Sequence, residues 1–161
     1  MIFGMSLPTF TLFHVVLSLI GIATGLIVVL GMFGSKRMPG FTALFLASTL
    51  LTSVTGFFFP FTKLLPSHIV GIISVVVLII ALLALYANRL IGHSRWIYIA
   101  SAVLALYLNS FVAVVQAFLK YPPLNELAPT QSEPPFVIAQ AVVLAVYFIL
   151  FIGAVRAFRP R

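Results

Sequence analysis

Cysteine and aspartate are both absent from these 161 residues, and glutamate occurs only twice, at Glu126 and Glu133. Without cysteine there are no disulfides, no thiolate metal sites and no thiol nucleophile, which removes the dithiol enzymes that reduce quinones or form disulfides. Without aspartate there is no aspartate pair for intramembrane proteolysis. Neither a His-Glu-x-x-His zinc helix nor a phosphate-cradling glycine loop occurs. Ser18, Ser74 and Ser101 have no acid-base partner nearby in sequence and no Gly-x-Ser-x-Gly elbow surrounds them. Charge of either sign is scarce as well: 7% of residues are charged, whereas a soluble domain carries about a quarter.

What fills the chain instead is hydrocarbon. Hydrophobic residues make up 63% of it and the mean hydropathy is +1.26. Five apolar stretches, at about 10–33, 41–60, 68–88, 96–119 and 136–156, each reach the roughly 17–25 residues that a helix needs to cross the bilayer core. The expected fold is therefore all-α: one polytopic transmembrane unit of five helices, with short connections that make consecutive helices antiparallel neighbours. The first apolar run lacks a positive flank and exceeds the 7–15 residues of a signal-peptide core, so it is expected to stay as a span.

The nine basic residues are unevenly placed. Lys36, Arg37, Arg89, Arg95, Arg156, Arg159 and Arg161 fall on one side of these spans, and Lys63, Lys120 and both glutamates on the other. The positive-inside rule then puts the N-terminus outside and the C-terminus in the cytoplasm. The formal charge of +7 is spread over helix ends without the clustered footprint of a nucleic-acid site, so the expected partner of the basic face is an anionic lipid headgroup.

Local signals add detail. Ser18, Gly21 and Gly25 share one face of span one, a small-xxx-small pattern that serves close packing or a homodimer seam. Pro60 should end or bend span two, and Ser67 and Ser94 suit N-caps of spans three and four. The connection 120–135 contains five prolines, too many for a continuous helix, and is expected to fold back over the outer mouth of the bundle.

Depth can be compared between antiparallel spans. His14, Thr55, Gln116 and Gln140 each lie four or five residues from the outer end of a span, roughly 6–8 Å deep. His68 is shallower by a turn, and Asn109 lies deeper on the face of Gln116. Such residues are costly in hydrocarbon and are kept for interhelical bonding, typically about 0.6 kcal/mol a pair, or for function. The candidate ligand-binding set is His14, Thr55, His68, Asn109, Gln116 and Gln140, with Gln131 and Glu133 entering from the loop.

Two cofactors suit these residue types. His14, His68 and Glu133 make a two-histidine, one-carboxylate set for a divalent metal such as iron or zinc. His14 and His68 would alternatively be the axial ligands of a b-type haem, with Gly21, Gly25 and Gly71 leaving room for the macrocycle. Phe13-His14 in span one and Pro66-Ser-His68-Ile-Val-Gly71 opening span three resemble bacterial cytochrome b561-type membrane bundles. That resemblance covers spans one to three and implies a membrane redox protein holding haem between histidines. Those bundles carry four ligands in two pairs; here the third histidine, His93, lies on the cytoplasmic face without a partner, so at most one haem is implied. The stretch Ala128-Pro-Thr-Gln-Ser-Glu-Pro-Pro-Phe136 resembles a segment of uncharacterised bacterial integral membrane proteins, which implies an inner-membrane location and no particular activity. The expected function is an outward-facing polar pocket that binds a small ligand or cofactor. A transporter or channel subunit, a structural accessory subunit and a redox protein are the alternatives.

Overall fold

Ser6 opens the first helix: its Oγ accepts from the Thr9 backbone N–H at 3.4 Å and lies 2.8 Å from the Thr9 hydroxyl, while Pro8 occupies a position in the first turn where no backbone donor is needed. From there the computed structural model, which describes residues 1–160, contains α1 (Leu7–Phe33), α2 (Pro39–Thr55), α3 (Pro66–Leu82), α4 (His93–Lys120), the short α5 (Pro122–Leu127) and α6 (Pro134–Ala157). A 3-10 turn, Gly56–Phe58, prolongs α2, and a π-helical turn, Leu83–Ala87, prolongs α3. Arg161 lies outside the described residues.

Five of these helices are long and apolar enough to cross a membrane: Leu7–Phe33, Pro39–Phe58, Pro66–Ala87, His93–Lys120 and Pro134–Ala157. The chain is an all-helical membrane protein with five candidate spans. Each span but the second outruns the apolar stretch legible in the sequence, and three of them begin on a proline. Pro39, Pro66 and Pro134 are first-turn residues whose fixed φ is pre-organised for a helix. The serine caps expected at Ser67 and Ser94 are not used. Leu65 is the N-cap of α3, and its backbone N–H is satisfied by His68 three residues on. Gly92 caps α4 with φ 58° and ψ −126°, a conformation open to glycine alone among ordinary residues. The proline-rich connection is not a continuous helix: Pro122 and Pro123 open only the one-and-a-half turns of α5.

Helix α4 is the centre of the bundle, packed on α1, α3, α5 and α6. Its buried face, Ile99, Ala102, Val103, Leu106 and neighbours, meets Val28, Val29 and Met32 of α1, Phe45 and Leu46 of α2, and Leu78 and Ala81 of α3. This dry core fills the half of the bundle nearer Lys36 and Arg95. The same end is tied by polar bonds: Ser35 Oγ donates to the Ala157 carbonyl at 2.7 Å, and Arg95 donates to the carbonyls of Phe158 at 2.6 Å and Val155 at 3.2 Å. Arg95 therefore caps the C-terminus of α6, where a cation also suits the helix dipole.

The Gly21 and Gly25 face is occupied within the chain. A Cβ on Gly21 would sit 2.7 Å from Thr49 Oγ1, and one on Gly25 would sit 2.7 Å from Leu106 Cδ1 and 2.8 Å from Phe45 Cδ2. Both glycines are buried against α2 and α4, so this face serves close packing of the chain's own helices. Small residues here let backbones approach, which is what drives helix association where lipid offers no hydrophobic force.

Candidate functional site

At the opposite end, away from the dry core, the bundle encloses a cavity of about 510 Å³. Four helices line it. Helix α1 contributes Thr11, His14, Val15, Ser18 and Leu19; the end of α2 contributes Thr52, Ser53 and Gly56; α3 contributes Ser67, His68, Gly71 and Ser74; α4 contributes Leu108, Asn109, Ala113, Gln116 and Lys120. Phe57, Phe59, Pro60, Phe61 and Leu65 form its outer rim. Pro60 indeed ends the second span, and the turn it forces sends three aromatic rings across the opening.

The floor is built by Asn109. Its Oδ1 accepts from Ser18 Oγ at 2.8 Å and its Nδ2 donates to the Ser18 carbonyl at 3.3 Å, a two-point link between α4 and α1. Thr49, nearby on α2, has a buried hydroxyl without a hydrogen-bond partner. The closeness of Gly21 gives it a Cα–H neighbour, which is the physical use of a glycine at that step.

The two histidines sit higher, and their protonation patterns follow from their partners. Thr55 Oγ1 has one hydrogen and lies 2.7 Å from the Leu51 carbonyl of its own helix and 2.8 Å from His14 Nδ1. Given to the carbonyl, that hydrogen leaves the hydroxyl to accept from a His14 Nδ1–H, the neutral tautomer whose Nε2 is a bare acceptor. His68 is the reverse: its Nδ1 accepts the Leu65 N–H at 3.0 Å, so its Nε2 carries the proton and donates. Neither Nε2 has a partner, and neither is sealed from access. Phe59 meets the His14 ring edge-on at 5.1 Å, and Phe61 lies 4.3 Å from the His68 ring.

Of the residues singled out from sequence, His14, His68, Asn109 and Gln116 line this cavity, and Thr55 stands behind His14 as its acceptor. The other three do not. Gln140 donates to the Phe111 carbonyl at 3.2 Å and Gln131 to the Val115 carbonyl at 3.0 Å, both on α4 and outside the lining. The Glu133 carboxylate accepts from the Thr130 hydroxyl at 2.8 Å and from the backbone N–H groups of Thr130 and Ser132. That bonding, led by the Thr130 hydroxyl, holds its pKa below the ordinary carboxylate range. The loop 120–135 therefore packs on the flank of α4, and the rim is formed by residues 56–65 instead.

The metal set fails for the same reason. Among the described residues no three His, Asp or Glu side chains gather to hold an ion, and Glu133 is spent on its own turn. A haem bound between His14 and His68 meets a different obstacle. Ligation by His68 Nε2 would require moving its proton to Nδ1 and breaking the bond that caps α3.

Sequence reading missed Lys120, Ser53 and Ser74. Lys120 was legible: it follows Asn109, Ala113 and Gln116 at steps of four, three and four on one helical face. The Ser110 to Tyr147 bond, 2.7 Å between α4 and α6, was not, since nothing in either segment pairs them. No protein-family model matches the chain, and no curated protein and no solved structure matches it either. The fold and site thus stand on their own geometry.

Proposed function

We propose that this is a five-span protein of a bacterial inner membrane, with antiparallel helices, N-terminus outside and C-terminus cytoplasmic, that binds a small ligand in the cavity at its outer end. The gathering of basic residues at the other end supports the orientation and suits contact with anionic headgroups there. One observation carries the binding reading. His14 Nε2, His68 Nε2 and the Gln116 amide have no partner within the protein, and all three residues border one cavity. A polar layer kept only for packing would pair these groups across helices, as Ser18 and Asn109 are paired. The volume is also within the roughly 300–1,000 Å³ usual for ligand sites.

Filling the cavity tests this. Ala113 lines it on α4, and Ala113→Phe would occupy the space between His14 and His68 without touching the dry core. Native mass spectrometry of protein extracted in its own lipids should show a bound small molecule on the wild type that the variant lacks. Identical spectra from the two proteins would defeat the reading.

A structural accessory role draws on a separate feature. Only 6% of the residues in the most apolar stretch of α6 are fully buried, and Ile138, Val142, Phe148 and Ile149 stay exposed, available to lipid or to another subunit. Co-purification of a stoichiometric partner that is lost on charge substitution at Ile138 and Ile149 would favour it.

A further inference from the structure

The walls of the cavity say more about what it holds. No carboxylate lines it, so an organic cation would find no counter-charge. Its one cation, Lys120, is an exposed residue at the last turn of α4, at the rim, whereas the unpaired groups further in are imidazole and amide. At the level of the two histidines the surfaces are aromatic: Phe59 against His14, and Phe57 and Phe61 against His68. Access runs through lipid, because Val15 and Leu19 line the cavity while remaining 40% and 57% exposed on the outer surface of α1.

Resting on the cavity as a binding site, we infer that its occupant is an uncharged, lipid-dissolved aromatic alcohol of the hydroquinone or phenol type, held between two histidines of opposite tautomer. In this arrangement the Thr55 hydroxyl takes the His14 Nδ1–H, and the ligand hydroxyl donates to the bare His14 Nε2. A second oxygen accepts from the His68 Nε2–H, a donor fixed by the backbone of Leu65. The ring itself lies among the phenylalanines, where offset and edge contacts are favourable. An oxidised quinone or an ether can satisfy His68 but offers nothing to His14, so the site discriminates by the hydroxyl proton. A buried acceptor left unpaired is the penalty that gives such discrimination its size.

Asparagine at either position separates ligand binding from folding. His14→Asn keeps a donor toward Thr55 and removes the Nε2 acceptor, and His68→Asn keeps an acceptor for the Leu65 N–H and removes the Nε2 donor. The full chain in lipid nanodiscs is titrated with an alkylated 1,4-hydroquinone kept reduced, and separately, without reductant, with its dimethyl ether, the corresponding quinone and decanoate. The hydroquinone should bind about tenfold more tightly than the ether or the quinone. His14→Asn should abolish that preference, and His68→Asn should weaken hydroquinone and ether alike. Imidazole nitrogen NMR should show one ring protonated on Nδ1 and one on Nε2.

Equal binding of hydroquinone and ether overturns the inference, as do two rings in the same tautomer. Tighter binding of decanoate, lost in Ala113→Phe, would overturn the ligand class and leave the cavity as a binding site. No binding of any probe, with Ala113→Phe indistinguishable from wild type by mass spectrometry, would overturn both.

Discussion

Gly25→Ala adds one methyl group at a close helix approach in the dry half of the bundle, and its consequence can be worked out from the contacts. The new Cβ would lie 2.7 Å from Leu106 Cδ1 and 2.8 Å from Phe45 Cδ2 and Cε2. Carbon atoms in packed interiors rest at about 3.5–4.0 Å, so each contact is too close by about 1 Å. Neither neighbour has room to yield: Leu106 and Phe45 are both 0% exposed. Helix α1 must therefore move away from α2 or α4. Overpacking of this kind costs about 1–3 kcal/mol, offset by up to about 1 kcal/mol from the better helix propensity of alanine, which leaves a net loss of about 1–2 kcal/mol. Trp96, the sole tryptophan, reports unfolding through its edge-on contact with Phe151. Titration with SDS in mixed micelles should show the Gly25→Ala midpoint lowered. Gly40→Ala is the control, because nothing lies within 4 Å of its Cβ position, and it should unfold like the wild type. If both variants behave alike, the close approach is not where the coordinates put it. A Gly25→Ala protein of unchanged stability whose monomer–dimer balance shifts would instead restore the face as a seam between copies.

The Ser18–Asn109 link should behave as a coupled pair: a double-mutant cycle of Ser18→Ala and Asn109→Leu in the same unfolding assay is expected to give a coupling of about 0.6 kcal/mol, and strict additivity would mean the bond is not made in the membrane. Glu133 supplies the pH dependence. Its folded pKa is depressed, so the ordering it gives the 130–133 turn is fully present above its unfolded value, about 4.3, and is lost as pH falls through the folded value. Amide exchange at Thr130 and Ser132, corrected for intrinsic rate, should accelerate over that acid range in the wild type and stay flat in Glu133→Gln; a flat wild-type profile would refute the turn.

How far the sequence reached can be followed residue by residue. The depth comparison brought His14, His68, Asn109 and Gln116 to one cavity because a span converts residue count into height at a constant rise. It failed for Gln140, because equal height leaves the rotation of a helix undetermined. Gln140 is at the right level but turned to the Phe111 carbonyl. The rim lies with residues 56–65 around Pro60, where Phe57, Phe59 and Phe61 line the cavity, and not with the longest loop, whose length suggested a cover.

Composition and hydropathy alone determined the solvent, the secondary structure and the number of spans, because lipid forces every backbone polar group to be satisfied within its own helix. The distribution of Lys and Arg marked two unlike ends. Only the tertiary structure decided what the ends contain: a dry core at the basic one and a cavity at the other, with Gly21 and Gly25 spent on the chain's own packing. It alone supplied the histidines' partners as well: His14 meets a threonine 41 residues away. Span and side are properties of a segment; pairing is a property of the rotation and tilt that several segments settle together.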